Sequence, residues 1–184
     1  MKAATSPQEL ETILRAQRGD MDAFEEIVRS YRAGVVGMVY RMFGDAALAE
    51  DAAQEAFIRA WRRLDSYRPV APIRNWLYRI AINAARDSLR REHKTVDIEE
   101  LPLPASGLDP AAAMIHSQRI HRVRQAIRAL PVGSREVLIL REYEDLSYRD
   151  IARVLDIPIG TVMSRLHTAR QSLRENLAEF LETQ

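Results

Sequence analysis

The 184-residue sequence contains no cysteine. That excludes disulfides, thiolate metal sites, cysteine nucleophiles and thiol redox sensing, and it suits a reducing compartment. Lysine is almost missing too: Lys2 and Lys94 are the only two among 27 cations. Glycine is scarce, with seven residues, and no stretch sustains the apolar–polar alternation of a half-buried strand. The most apolar short run, Val35 to Tyr40, is far below the roughly 20 residues that cross a bilayer. Met1 to Pro7 carries no apolar signal core. The expectation is a soluble cytoplasmic protein. The four histidines are His93, His116, His121 and His167. His116 and His121 are five apart and share no helix face. There is no glycine-rich phosphate loop, nucleophile elbow or zinc-protease motif. No catalytic residue, metal site or cofactor is expected.

What is present is helical. Hydrophobic residues make up 47% and charged residues 29%, enough to bury a core. Apolar positions recur at i, i+3 and i+4. Ser6-Pro7-Gln8-Glu9 reads as N-cap, N1 proline and N3 acid, and Gly19 ends that helix. Asp22-Ala23-Phe24-Glu25 reads as a second capping box, opening a helix to about Phe43. Further helices are expected at about 46–64 and 73–92, with Pro69 and Pro72 between them. Thr95 to Pro110 then holds three prolines and a glycine, and its charge is all acidic, so it reads as linker. Helices follow at about 111–129, 133–143, 147–155 and 160–181. The predicted fold is all-α: one helical module over 7–94, a flexible acidic tether over 95–110, and a second module over 111–184.

Net charge is +1, yet residues 59–94 hold ten cations and three acids. A basic block on a helical pattern is a candidate footprint for nucleic acid. Ile73 to Asp87 interleaves Arg74, Arg79 and Arg86 with Trp76 and Tyr78, and Arg90, Arg91 and Lys94 extend the basic character. Aromatics with cations suit single-stranded nucleic acid, where bases stack and phosphates are held; Trp76 and Ile80 also read as core anchors. The loop Ser66-Tyr67-Arg68-Pro69-Val70-Ala71-Pro72 could frame a pocket for an extruded base. At 100° per residue, Asp51, Gln54, Glu55, Ile58 and Arg62 form one polar face with an isoleucine in it. Ala53, Phe57, Ala60, Trp61 and Leu64 form the opposite, core stripe.

Ser147-Tyr148-Arg149-Asp150 is a capping box for a short helix, which Asp156-Ile157-Pro158 ends. Gly160-Thr161 opens a long second helix. This is the helix-turn-helix signature, whose second helix enters the major groove. Val162, Leu166, Ala169, Leu173, Leu177 and Phe180 line one stripe of that helix. Ser164, His167 and Thr168 point away, flanked by Thr161 and Met163, where side chains reach base edges.

Three stretches, in order, resemble the extracytoplasmic-function (group four) sigma factors of bacterial RNA polymerase. Asp51 to Trp61 looks like their polymerase-binding helix, and Trp76 to Asn83 like their promoter-melting helix. Leu146 to Ala152 with Pro158 to Leu166 looks like their −35 reader. The resemblance spans nearly the whole chain. It implies a region-two module and a region-four module. Asp51, Gln54, Glu55, Ile58 and Arg62 would dock on the clamp helices of the polymerase's largest subunit, and the flap of the second-largest subunit would be a further partner. Asn83 and the loop around Tyr67 would hold a flipped −10 base. Arg68, Trp76, Arg79, Arg86, Arg90 and Arg91 would complete the −10 contact, the last three steadying phosphates. Arg135 would touch phosphate near the −35 element. Ser164 and His167 would face its bases, beside Thr161, Met163, Arg165, Thr168 and Arg170. The linker would run through the polymerase's RNA channels. An anti-sigma protein, often membrane-bound, would hold the factor inactive. The sequence departs from the family where Met163 and Thr168 replace frequent cations, and where Pro69 and Pro72 replace a small, acidic stretch. The competing class is a stand-alone helix-turn-helix regulator, which would normally dimerise on palindromic half-sites.

Overall fold

The computed structural model describes residues 6–92 and 110–181, and their side chains except at 92, 110–119 and 179–181. Apart from Pro110, the expected linker lies outside these residues. The described residues form eight α-helices and no strand.

Helix α1 (Pro7–Gln17) starts as its sequence requires, with the Ser6 hydroxyl accepting from the Glu9 N–H at 3.1 Å. Helix α2 (Met21–Phe43) is capped two residues before the expected box. Its cap is Asp20, not Asp22. Gly19 turns the chain at φ +94°, so the next residue is already placed to accept from the Ala23 N–H at 3.1 Å. That hydrogen bond, and then the Arg15 guanidinium, hold the Asp20 carboxyl below the usual range. Gly44 ends α2 at φ +80° and returns its N–H to the Tyr40 carbonyl at 2.7 Å. A side chain here would be strained, and its Cβ would sit 2.9 Å from the Arg128 guanidinium.

Helix α3 (Ala46–Arg63) is capped by Asp45 and runs into a 3-10 turn over Leu64–Ser66. Helix α4 (Ile73–Glu92) completes the first group. The expected core stripe of α3 is the buried one: Ala53, Phe57, Ala60 and Leu64 are inside. Trp61 leans on Phe24 with ring centres 4.9 Å apart. Helix α2 packs on α1, α3 and α4, around Met38, Met42, Leu77 and Ile82. Burying each such side chain contributes roughly 1.5–3 kcal/mol.

The second group comprises α5 (Pro110–Ala129), α6 (Val132–Glu142), α7 (Tyr148–Leu155) and α8 (Ile159–Leu181). The Ser147 hydroxyl accepts from the Asp150 N–H at 3.1 Å, and Asp156 ends α7 in the left-handed region at φ +56°. Val162, Leu166 and Ala169 of α8 are buried, and Leu173 packs beside them. Phe180, placed on the same stripe by angle, lies outside the described side chains. The two groups touch: α2 lies against α6, and α4 against α7.

Candidate functional site

Three surfaces follow from this packing. On α3, sealing one face in the core turns the other outward. Asp51, Gln54 and Arg62 are exposed, and Glu55 is half-exposed and held by Arg59 at 2.6 Å. Ile58 sits among them at 40% exposure. It lies outside the core and is the one aliphatic side chain of that outward set.

The second surface is α4 and the loop before it. Asn83 is exposed, as are Arg79, Arg90 and Arg91. Trp76 is half-buried, packed on the core and tilted on Tyr67 at 5.4 Å. Of the two readings of Trp76, the core contact is the one present. Tyr67 is buried, and its hydroxyl donates to the Ala71 carbonyl at 2.7 Å. It therefore stiffens the proline loop from inside, while Arg68 is exposed and donates to the Asp65 and Tyr67 carbonyls.

Two residues here carried no signal in the sequence pattern. Gln17, from α1, donates to the Leu64 and Tyr67 carbonyls at 2.8 and 3.0 Å, tying the loop from about fifty positions away. Asn75, near the start of α4, is 6% exposed, and its Oδ1 lacks a partner.

The basic face of α4 is less free than its composition implied. Arg86 donates twice to Glu136 of α6, at 2.9 and 2.5 Å. Glu136 is 1% exposed. Arg79 reaches Asp156 at 3.4 Å, and Arg90 pairs with Asp87. The Asp87 carboxyl is held low first by Arg90 and then by Arg59. Nearby, the Tyr78 hydroxyl donates to Glu144 at 2.5 Å, and Arg41 approaches the same carboxylate at 3.4 Å. Burial, reinforced by Glu144, pushes the Tyr78 hydroxyl well above its ordinary value, so it stays protonated and donates.

The third surface is the helix-turn-helix. Met163, Ser164, His167, Thr168 and Arg170 are exposed on α8, and Thr161 is half-exposed. Arg165 lies over Gly133 so closely that a Cβ there would meet its Cζ at 2.8 Å. Arg170 donates to Glu142 at 2.7 Å. Arg135 is not on the outer face. It donates to the Met42 carbonyl at 2.8 Å and to the Arg128 and Leu130 carbonyls at 2.7 and 3.0 Å. Burial pushes its pKa down, and its Nε has no partner. In this arrangement it ties the end of α2 to α5 and α6.

Residues 27–95 match the Sigma-70 region 2 family, and residues 120–173 match Sigma-70 region 4. The chain is 38% identical to the RNA polymerase sigma-H factor of Pseudomonas aeruginosa, over 96% of this chain and 97% of that protein. It is 35% identical to the extracytoplasmic-function sigma factor SigW of Bacillus subtilis, over 91% and 96%. This chain belongs to the extracytoplasmic-function sigma factors of the sigma-70 family. The fold agrees. The Bartonella quintana sigma factor RpoE, solved with the anti-sigma factor NepR, superposes with a TM-score of 0.69 at 26% identity, covering 84% of this chain and 96% of that one. CnrH, solved with the cytosolic domain of CnrY, gives 0.67 at 27% identity, covering 91% and 96%.

These relatives are sigma factors, not enzymes. They support the polymerase-dependent reading over a stand-alone regulator. No described helix is long and apolar enough to cross a membrane. Among the described residues no three His, Asp or Glu side chains gather where a metal could sit.

Proposed function

We propose that this sigma factor works in the cytoplasm, catalyses nothing itself, and gives core RNA polymerase its promoter specificity. A module over 7–94 docks on the polymerase and opens the −10 region. A module over 111–184 reads the −35 element, and 95–110 tethers the two through the polymerase's RNA channels. The outward face of α3 is the docking surface: Asp51, Gln54, Glu55 and Arg62 meet the clamp helices of the largest subunit, with Ile58 at the centre. The second module also meets the flap of the second-largest subunit. The observation that carries this is Ile58, exposed amid polar side chains on a helix whose other face is sealed.

On DNA, Asn83 and the loop stiffened by Tyr67 take a flipped −10 base. Arg68, Trp76, Arg79, Arg86, Arg90 and Arg91 lie along the same strand. Thr161, Met163, Ser164, Arg165, His167, Thr168 and Arg170 make up the −35 surface, with Arg135 on phosphate. Two of these cations, Arg86 and Arg135, are engaged across the contact between the helix groups. The free chain in this closed arrangement therefore binds promoter DNA weakly. Polymerase binding separates the modules, and the tether then makes the second DNA contact intramolecular. An anti-sigma partner, membrane-associated, holds the chain inactive, as expected from relatives solved with anti-sigma factors.

Reconstitution tests this. Purified chain plus core polymerase is expected to initiate specifically from promoters selected out of a random library. Selected promoters should carry two separated elements. Failure to initiate from any member of the library overturns the reading.

A further inference from the structure

The outer surface of α8 is short of charge where a base reader is usually rich in it. Met163 is 55% exposed, and Ile159, four residues earlier and on the same face, is 45% exposed. Thr168 turns its Oγ1 onto the Ser164 carbonyl at 3.1 Å. Ser164 likewise turns its hydroxyl onto the Thr161 carbonyl at 3.1 Å. Of the nearby cations, Arg165 is half-buried over Gly133, and Arg170 is held by Glu142. Guanine is read in the major groove by a bidentate arginine or lysine, whereas thymine presents a C5 methyl that apolar side chains contact. The face offered here fits the second chemistry.

We propose that α8 recognises thymine through its methyl group. Met163 packs on the C5 methyl of one −35 thymine, with the Ile159 side chain beside it extending the apolar contact. The inference rests on the reading of α8 as the −35 helix, and it adds which base and which atom are read. Met163 sits on the first turns of the helix, where side chains reach base edges.

Deoxyuridine isolates that atom. It keeps the O4 acceptor and the pairing of thymine and lacks only the methyl. The reconstituted holoenzyme is bound, at fixed salt, to a library-selected promoter in which each −35 thymine is replaced in turn on either strand. At one or two positions affinity is expected to fall about three- to tenfold, the scale of one lost apolar contact. In Met163→Ala holoenzyme the same replacement should cost nothing at the position Met163 covers. Met163 is exposed, so that variant leaves the core intact. If every thymine can be replaced without loss while the −35 element stays protected, the proposal fails and the assignment of α8 stands. A selected −35 element with no thymine on either strand also overturns the proposal. Loss of all −35 protection from the wild-type holoenzyme overturns the assignment of α8, and the proposal with it.

Discussion

Arg86 of α4 and Glu136 of α6 share two hydrogen bonds, at 2.9 and 2.5 Å, across the contact between the two helix groups. The pair is lopsided: the Glu136 side chain is 2% exposed and that of Arg86 33%. Removing the arginine strips a carboxylate that water does not reach of its hydrogen-bonded partner, with only the more distant charge of Arg135 left to offset it, whereas removing the acid leaves a guanidinium that can turn to solvent. Breaking a buried pair costs about 3–5 kcal/mol. Arg86→Ala should approach the lower end of that range, or escape it by opening the contact. Glu136→Gln keeps the shape and should cost about 1–2 kcal/mol. Small-angle scattering should show a larger radius for Arg86→Ala. Equal, small effects of both changes would mean that the closed contact does not persist in solution.

The same pair bears on DNA. Glu136→Gln releases Arg86 without removing it. The free chain should then bind single-stranded −10 non-template DNA several-fold more tightly, with a steeper salt dependence from the added phosphate contact. Unchanged affinity would mean that the contact does not limit access to Arg86.

On α3 the expected effect is on partnership, not folding. Changing Asp51, Gln54 and Ile58 together to alanine touches exposed positions, so the unfolding midpoint should barely move. Affinity for core polymerase should fall about ten- to a hundredfold, as for loss of an interface centre. Unchanged affinity in a titration with labelled polymerase would remove α3 as the docking face.

Local rules carried much of this structure. Ser6, Gly44, Ser147 and Asp156 mark helix ends whose partners lie within a few residues, so their roles are readable from spacing. The outward sets on α3 and α8 follow from angle once the apolar stripe is known. The N-cap of α2 falls at Asp20 and not at the expected Asp22 because the Asp22–Glu25 spacing matches a capping box while Asp20, with Ala23 at N3, does not; the positive φ of Gly19 is what places Asp20 as the cap. Long-range pairings were not legible. Gln17 holding the Tyr67 loop, Arg135 on the Met42 carbonyl and Arg86 on Glu136 join residues about 50 to 93 positions apart. The resemblance puts Arg135 on phosphate; the approach of α2 to α6 is what brings it onto the Met42 carbonyl.

Asp156 gives a backbone test. It closes α7 at φ +56°, where a side chain with a Cβ is strained. Its contact with Arg79 spans 3.4 Å between largely exposed groups and contributes little. Asp156→Ala and Asp156→Gly both remove that contact, so their difference isolates the turn. The glycine variant should be more stable than the alanine variant by about 1 kcal/mol. Equal urea midpoints would show that the left-handed turn is not needed between α7 and α8.

Acid should loosen the first helix group through specific carboxylates. The folded-state pKa values of Asp20 and Asp87 lie below their ordinary value, the first through the Ala23 N–H and Arg15, the second through Arg90 and Arg59. A depressed carboxylate stabilises the fold above its unfolded pKa, about 3.9 for aspartate. That contribution is lost as pH falls through the lower, folded value. The loss should therefore begin near pH 4 and continue below it, with little change between pH 5 and 7 from these groups. Asp20→Asn separates charge from cap, because asparagine also accepts from an N-terminal N–H. Its urea midpoint should fall less steeply than that of the wild type between pH 5 and 2.5. Parallel curves for the two proteins would show that the Asp20 charge plays no part in holding α1 to α2.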